Sequence, residues 1–584
     1  MNINWEMLAV FIAVFAVVTM LGFRAARWRP GDLNRLQEWG LGGRRFGTIT
    51  SWFLLGGDIY TAYSFIAVPA LVFGSGALGF FAVPYTVIVY PLVFVVLPRF
   101  WTVARHRGYV TPADFVRERF GSTTLASLVA ITGILATMPY IALQIYGIEV
   151  SIAQMGIPVE ISLIIAFGIL TLYTYISGLR APAMIAIVKD GMIWLVVLVA
   201  FIYIPIRLGG FGQIFAAVHQ KALEHPTTFH DILPPTQYSA YVTLALGSAL
   251  SLLLYPHVLT GTMSTNSRKV IKRNAGLLLA YSLLLGLIAL LGYVAVAAGI
   301  QPSPVYKNNI ALPALFAAMF PSWFAGFAFS AIAIGALVPA AIMSIASANL
   351  FTRNIYREYF RPTCTEREES NVAKAASSVV KVGALAFILF LPTTFAINFQ
   401  LFSNIWIVQT LPAVLLGLYT NRFHRLALIT GWAGGMATGT GMVIAQNFNS
   451  SVYPLVLGSV TIPIFAAVAG LAVNLILTLA LTPFFRAIGV PAGQDATTPE
   501  DYEARPVLGL QEPAGKVEQP LPVFQPPNLD ARQPIPSFQQ PMPGLAPSFQ
   551  RPAPGPRTRN FQQATPIIEQ SALESQMRRY YKRQ

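Results

Sequence analysis

About thirteen apolar runs, each long enough to cross a bilayer core as a helix, occupy most of this chain and leave little room for any other fold. They include Gly47 to Gly74 (the second), Ile161 to Ser177 (the fifth), Met184 to Ile206 (the sixth) and Tyr238 to Met263 (the seventh). Trp323 to Phe351 is the ninth, Ala375 to Thr394 the tenth, Leu426 to Ile444 the twelfth and Val460 to Phe485 the thirteenth. With 55% hydrophobic and 11% charged residues among 584, the chain is too apolar for a soluble protein of ordinary composition. It reads as an all-α polytopic membrane protein. The first run, Trp5 to Phe23, has basic flanks only on its C-terminal side and no small-residue cleavage site after it, so it is expected to be a retained span.

The net charge of +15 lies in short loops between apolar runs, which is membrane topology and not a nucleic-acid surface. Basic residues crowd every second connection: Arg24 to Arg45 after the first run, Arg99 to Arg119 after the third, Arg268 to Arg273 after the seventh. Arg180 and Lys189 are counted in the loop between the fifth and sixth runs. The alternation predicts an outside N-terminus and a cytoplasmic C-terminus. One cysteine, Cys364, leaves no disulfide framework and no cysteine metal site. Residues 1–487 are assigned to the membrane domain. Residues 488–584, rich in Pro and Gln, are assigned to a disordered cytoplasmic tail that cannot bury a core.

Phe53 to Phe65, Phe-Leu-Leu-Gly-Gly-Asp-Ile-Tyr-Thr-Ala-Tyr-Ser-Phe, places Gly56, Gly57 and the carboxylate of Asp58 inside the second apolar run. An intramembrane acid is costly, and the glycine pair weakens the helix where the acid sits. Backbone freed there must be satisfied by protein or line a cavity, as at the broken helices of transporters. A glycine packing notch with Asp58 bonded to a neighbouring helix is the simpler reading. In the seventh run, Leu-Leu-Tyr255-Pro256-His257-Val-Leu holds the one histidine of six inside a span, and Pro256 predicts a second bend or break. Breaks in the second and seventh runs suggest two five-helix repeats, the second inverted. His257 suits a structural role as well as a transport role.

Small residues from Ala340 to Asn349 permit close helix approach in the ninth run, with Ser344 and Ser347 adding hydroxyls. Tyr60, Thr61, Tyr140 and Gln144 supply further polar groups, as do Gln400, Asn404 and Gln409 in the eleventh run. Together with Gly57, Tyr255 and His257, the residues Tyr60, Thr61, Tyr140, Gln144 and Gln409 form the candidate substrate-binding set; any of them could simply hold helices together. No Arg or Lys is placed in the middle of a span, which favours a small solute with one charge or none. No nucleotide-binding loop, zinc motif or acyl-transfer triad appears, so the chain is not read as an enzyme or an ATP-driven pump.

Several stretches resemble the sodium:solute symporters. These are Leu41-Gly-Gly-Arg-Arg-Phe-Gly before Gly56-Gly57-Asp58, Tyr109-Val-Thr-Pro-Ala-Asp-Phe-Val-Arg-Glu-Arg-Phe-Gly121, Pro256-His257-Val-Leu, Ala341-Ile-Met-Ser-Ile-Ala-Ser and Leu411-Pro-Ala-Val-Leu-Leu-Gly-Leu-Tyr-Thr-Asn-Arg422. Ser177-Gly-Leu-Arg-Ala-Pro-Ala-Met-Ile-Ala-Ile-Val-Lys-Asp190 looks most like bacterial monocarboxylate permeases. The resemblance implies a LeuT-type core of five plus five inverted helices over about 47–420. It implies a sodium site at the Gly56 and Ile59 carbonyls, the Ala341 carbonyl and the Ser344 hydroxyl, with Asp58 beside it. Ile345 stands where many members carry a second hydroxyl, so weak sodium dependence or proton coupling is expected, with Asp58 the titratable candidate. The expected function is cation-driven import of small monocarboxylates such as lactate or pyruvate across a bacterial inner membrane. No cofactor beyond sodium or a proton is implied, no nucleic acid, and no obligate protein partner. A symporter for another small solute, such as pantothenate or an amino acid, stays open. A receptor built on a transporter-like domain would need an output domain that the tail does not supply.

Overall fold

The computed structural model describes residues 3–25, 31–57, 60–390 and 395–503. Asp58 and Ile59 therefore lie outside the described residues, as does the chain beyond Glu503. Helix α1 (Trp5–Ala25) is followed by α2 (Thr48–Gly56), which stops at the glycine pair; helix returns as a π turn over Tyr63–Ala67 that runs into α3 (Val68–Ser75). Then come α4 (Ala82–Arg107), α5 (Pro112–Phe120), α6 (Thr123–Ala153), α7 (Val159–Ser177) and α8 (Arg180–Arg207). The second half holds α9 (Tyr238–Leu252), α10 (Pro256–Met263), α11 (Leu279–Ala297), α12 (Ser322–Phe351), α13 (Glu366–Phe390) and α14 (Ile397–Ile407). Helices α15 (Arg425–Ala445) and α16 (Ala466–Ala487) pack against each other at the end.

Among the described residues nine helices are long and apolar enough to cross a membrane, ten if the bent pair α9–α10 is one span. The second, fifth and twelfth of the thirteen expected runs are not among them. The second is broken after Gly56, the fifth passes only as the shorter stretch Glu160–Leu172, and the twelfth is diluted by glycines at 431, 434, 435, 439 and 441.

Helix α12 is the centre of the bundle: the apolar window that marks it as a span is wholly buried, with α1, α6, α8 and α13 packed around it. Its small residues make that possible. A Cβ on Gly326 would stand 2.4 Å from the Met7 carbonyl oxygen of α1, so only glycine lets the two backbones approach. The loop helix α5 has a reciprocal cap: Asp114 N–H donates to Thr111 Oγ1 (3.2 Å) and Thr111 N–H donates to Asp114 Oδ2 (3.1 Å). Asn354 Nδ2 donates to Asp114 Oδ1 at 2.8 Å, tying this loop to the chain after α12.

Two stretches depart from the sequence reading. The thirteenth run does not begin as a helix: strands β1 (Val452–Leu457) and β2 (Val460–Phe465) form an antiparallel hairpin, with Leu457 opposite Val460 and Val452 opposite Phe465. Gly458, at φ +62°, stands at the first of its two loop positions, where a tight hairpin needs a positive φ. The hairpin is fastened to α9 by Ser239 Oγ donating to the Pro463 carbonyl (2.6 Å) and by Phe465 N–H donating to Thr243 Oγ1 (3.0 Å).

The stretch from Ile488 to Glu503, grouped by composition with the tail, forms a strap that lies on the α4–α5 region. Asp495 pairs with Arg119 (2.7 Å), Asp501 pairs with Arg107 (2.8 Å), and the Arg99 guanidinium lies 4.6 Å from the centre of the Tyr502 ring. Ala496 N–H donates to the Glu118 carbonyl at 2.9 Å. Two ion pairs, a cation–π contact and a backbone hydrogen bond fasten the strap, contacts that composition alone does not announce.

Candidate functional site: two broken helices

The break between α2 and α3 is filled by a side chain from α8. Lys189 Nζ donates to the carbonyl oxygens of Gly57 (2.8 Å) and Tyr60 (3.0 Å) and lies 3.0 Å from Asp190 Oδ1, an ion contact that falls short of an aligned hydrogen bond. Both side chains of this pair are fully buried. Asp190 Oδ2 in turn accepts from the Tyr281 hydroxyl at 2.6 Å. A buried pair persists where its remaining polar sites are satisfied, and here the broken backbone and a tyrosine satisfy them. The glycine pair has a physical reason in the same place. A Cβ on Gly57 would stand 2.4 Å from the Phe53 carbonyl oxygen and 3.0 Å from Lys189 Nζ, and one on Gly56 would stand 2.3 Å from the Tyr281 ring.

Lys189 was counted as a loop residue and no span was expected to carry a cation in its interior; both readings are corrected. Lys189 is the tenth residue of α8, buried, and Lys381 is buried within α13, where its amine has no hydrogen-bond partner among the described residues. The run from Ala181 to Trp194 is apolar on both sides of Lys189-Asp190. That pattern, a charge pair inside an apolar stretch, was the available signal.

Where the helix restarts, its first amides are met locally. Gln144 Oε1 on α6 accepts from Ala62 N–H (3.0 Å), and Thr61 Oγ1 accepts from Tyr63 N–H (3.0 Å), so both candidates cap the second half-helix. The Tyr60 hydroxyl donates to the Tyr281 carbonyl at 3.4 Å, and the two rings stack tilted at 4.5 Å.

The second break, at Leu253 to Tyr255, bends α9 against α10 by 43°. Tyr255 is extended (φ −57°, ψ 132°) as the residue before a proline tends to be, and Pro256 occupies the first turn of α10, where no donor is missed. The Tyr255 hydroxyl lies 2.7 Å from both Ser403 Oγ and Asn404 Oδ1 on α14, and Asn404 Nδ2 donates to Ser248 Oγ of α9 (3.2 Å). His257 is wholly buried between the rings of Tyr140 (5.7 Å) and Tyr255 (5.0 Å), and neither ring nitrogen has a hydrogen-bond partner among the described residues. A small apolar cavity lined by Leu55, Tyr90, Leu97, Leu253 and Val258 lies between α2 and the second break.

The other candidates lie on α12 and just after α14. Ser344 Oγ donates to the Ala340 carbonyl of its own helix (2.7 Å), Ala341 is buried beside it, and the Ser347 hydroxyl has no partner among the described residues. Gln409 lies against the flanking helices: its carbonyl accepts from Asn474 Nδ2 (2.8 Å) and its side-chain oxygen lies against Gly435. Both contacts are to α15 and α16. Sequence reasoning passed over Lys189, Asp190, Tyr281 and Ser403, and named Asn404 without joining it to Tyr255.

The model of the sodium:solute symporter family matches residues 39–434. The chain belongs to this family. Among other members with which it shares sequence, a monocarboxylate transport permease protein of Rhizobium johnstonii is 51% identical over 81% of this chain and 96% of its own length. An uncharacterised symporter of Bacillus subtilis is 32% identical over 82% of this chain and 94% of its own. The symporter shares its fold with a sodium-coupled sialic acid symporter solved in a substrate-bound outward-open state, at a TM-score of 0.66 and 16% identity, covering 83% of this chain and 99% of that one. It is a multi-pass membrane transporter built around two interrupted helices.

Proposed function

We propose that this symporter imports small monocarboxylates, lactate and pyruvate among them, by cation symport across a bacterial inner membrane, with its N-terminus outside and its C-terminus in the cytoplasm. The observation that carries the reading is His257, held edge-on and tilted between two tyrosines beside a helix break, with neither ring nitrogen hydrogen-bonded among the described residues. A buried ring N–H is costly unless a ligand meets it, and a single carboxylate is a ligand of the right size and polarity. The name of the Rhizobium relative supports the same substrate class. Thr61 and Gln144 cap the first amides of the restarted half-helix and so fix the backbone there. The two breaks, one in each half of the chain, fit the inverted five-plus-five arrangement in which such a site sits at the repeat interface. Uptake of labelled lactate, pyruvate, acetate, proline and pantothenate into proteoliposomes tests it. Short monocarboxylates should compete with one another and be taken up at least about tenfold faster than the other two, a difference of roughly 1.4 kcal/mol. Preference for proline or pantothenate overturns the substrate class.

A further inference from the structure

Helix α14 does not stop at Ile407. It continues through a 3₁₀ turn (Val408–Thr410), a short helix (Leu411–Val414) with Pro412 in its first turn, and a second 3₁₀ turn (Leu416–Leu418). Stretches of 3₁₀ inside a longer helix commonly mark hinges, so this end of α14 is jointed to the part that holds Tyr255. We propose that the strap Ile488–Glu503 is a latch that restrains the jointed end of α14 against α4 and α5, and that its release speeds the transport cycle. The proposal needs only that the chain is a transporter; the substrate reading above supplies the probe.

Two arginines are shared between the strap and the end of α14. Arg99 Nε of α4 donates to the Leu418 carbonyl (2.8 Å), and the Arg99 guanidinium faces the Tyr502 ring. Arg119 Nε of α5 donates to the Gly417 carbonyl (2.9 Å), while its Nη1 donates to Asp495 Oδ2 (2.7 Å) and Thr497 Oγ1 (2.9 Å). Asn421, just past the second 3₁₀ turn, donates from Nδ2 to the same Asp495 oxygen at 3.3 Å. Gly417 lets the end of α14 sit close on α5: a Cβ there would stand 3.2 Å from the Phe120 ring and 3.5 Å from that of Phe115. The strap thus fixes the arginines that fix α14.

The two ends of the strap are held differently. Its first residue continues α16, His424 Nε2 lies 3.1 Å from the Val490 carbonyl, and Gly493, at φ +94°, runs so close to α5 that no Cβ fits beside the Phe120 carbonyl. Its far end is a hook. Thr498 N–H donates to Asp501 Oδ2 (2.8 Å), the Tyr502 hydroxyl donates to Thr497 Oγ1 (3.1 Å), and Arg107 Nε donates to Asp501 Oδ2 (2.8 Å).

That asymmetry is what a latch requires. Partly exposed ion pairs and cation–π contacts part at small cost and re-form without unfolding the helices they touch. The hook stays tethered to α16 when it opens, so its acids remain at high local concentration beside their arginines. The link to transport runs along one helix. Ser403 and Asn404 near one end of α14 hold the Tyr255 hydroxyl at the second break, and the carbonyls of Gly417 and Leu418 at the other end are held by Arg119 and Arg99.

Exchange of labelled for unlabelled lactate is measured in proteoliposomes for the full chain, for a chain truncated after Ala492, and for the full-length double variant Asp495→Asn with Asp501→Asn, each scaled to the protein in the membrane. Both altered chains should exchange about threefold to tenfold faster than the wild type, and truncation after Glu503 should leave the rate unchanged. Hydrogen exchange of the reconstituted protein reads the latch without any substrate: backbone amides of 411–420 should lose protection about tenfold in both altered chains while those of α12 keep theirs. The double variant retains the whole chain and decides alone should the truncated one fail to reach the membrane. Unchanged protection of 411–420 in the double variant overturns the latch. Lost protection with lactate exchange unchanged or slower overturns its restraint of transport. Absence of lactate exchange in every form, the wild type included, overturns the substrate reading instead, and the hydrogen-exchange measurement then decides the latch.

Discussion

The two broken helices are answered in opposite ways. At the first, the freed carbonyls are occupied by an ammonium from another helix, and the glycine pair exists to admit that ammonium and a tyrosine ring. At the second, the polar group is a histidine whose nitrogens meet no described partner, while Tyr255 beside it is held by Ser403 and Asn404. A break that satisfies itself holds a permanent part of the machine. The open ring nitrogens at the second break are where the proposed substrate would bind.

The comparison can be broken most forcefully at Lys189. Lys189→Ala strands the Asp190 carboxylate in the bundle, an expected loss of about 3–5 kcal/mol read as a fall in Tm in detergent. Adding Asp190→Asn should recover part of it, so the double variant melts above the single one; equal melting would show that the two side chains do not act as a pair. Tyr281→Phe removes a 2.6 Å bond to a carboxylate and should cost about 1.5–3 kcal/mol by the same measurement. His257→Phe sharpens the contrast from the other side. It should lower lactate affinity about 10- to 100-fold, roughly 1.4–2.7 kcal/mol, while Tm changes little, since the ring makes no hydrogen bond among the described residues. A large fall in Tm with unchanged affinity would make His257 a structural residue. The smallest effect belongs to the strap. Truncation after Glu503 should leave Tm unchanged, whereas truncation after Ala492 removes Asp495, Asp501 and Tyr502 and should cost about 1 kcal/mol, because partly exposed ion pairs and cation–π contacts contribute only tenths each.

The sequence makes the breaks legible because their causes are local. Gly56-Gly57 and Pro256 weaken or stop a helix wherever they occur, and the half-helices end and restart within a few residues of them. What fills the first break was not legible. The charge pair inside an apolar stretch signals a buried cation, but nothing local says which carbonyls it meets: Lys189 reaches Gly57 across a separation of 132 residues. The hairpin at 452–465 was hidden for a related reason: Val460-Thr461-Ile462-Pro463 is apolar enough to extend a helix, and only its pairing with β1 and its anchors on α9 make it a strand. Gln409 illustrates the converse. A polar side chain in an apolar run drew a functional reading, yet its partners are Asn474 and a glycine-lined helix face, contacts that no local pattern announces.

A ligand fixed to its receptor by a side chain has a different occupancy law from one in solution. A dissolved ion fills its seat according to its concentration outside, and an empty seat must wait for it. The Lys189 amine is held within reach of Gly57 and Tyr60 by the same helix at every dilution, so its effective concentration at the break is set by the length of its four-carbon stem and not by the medium. Such a contact has no salt threshold below which it falls vacant.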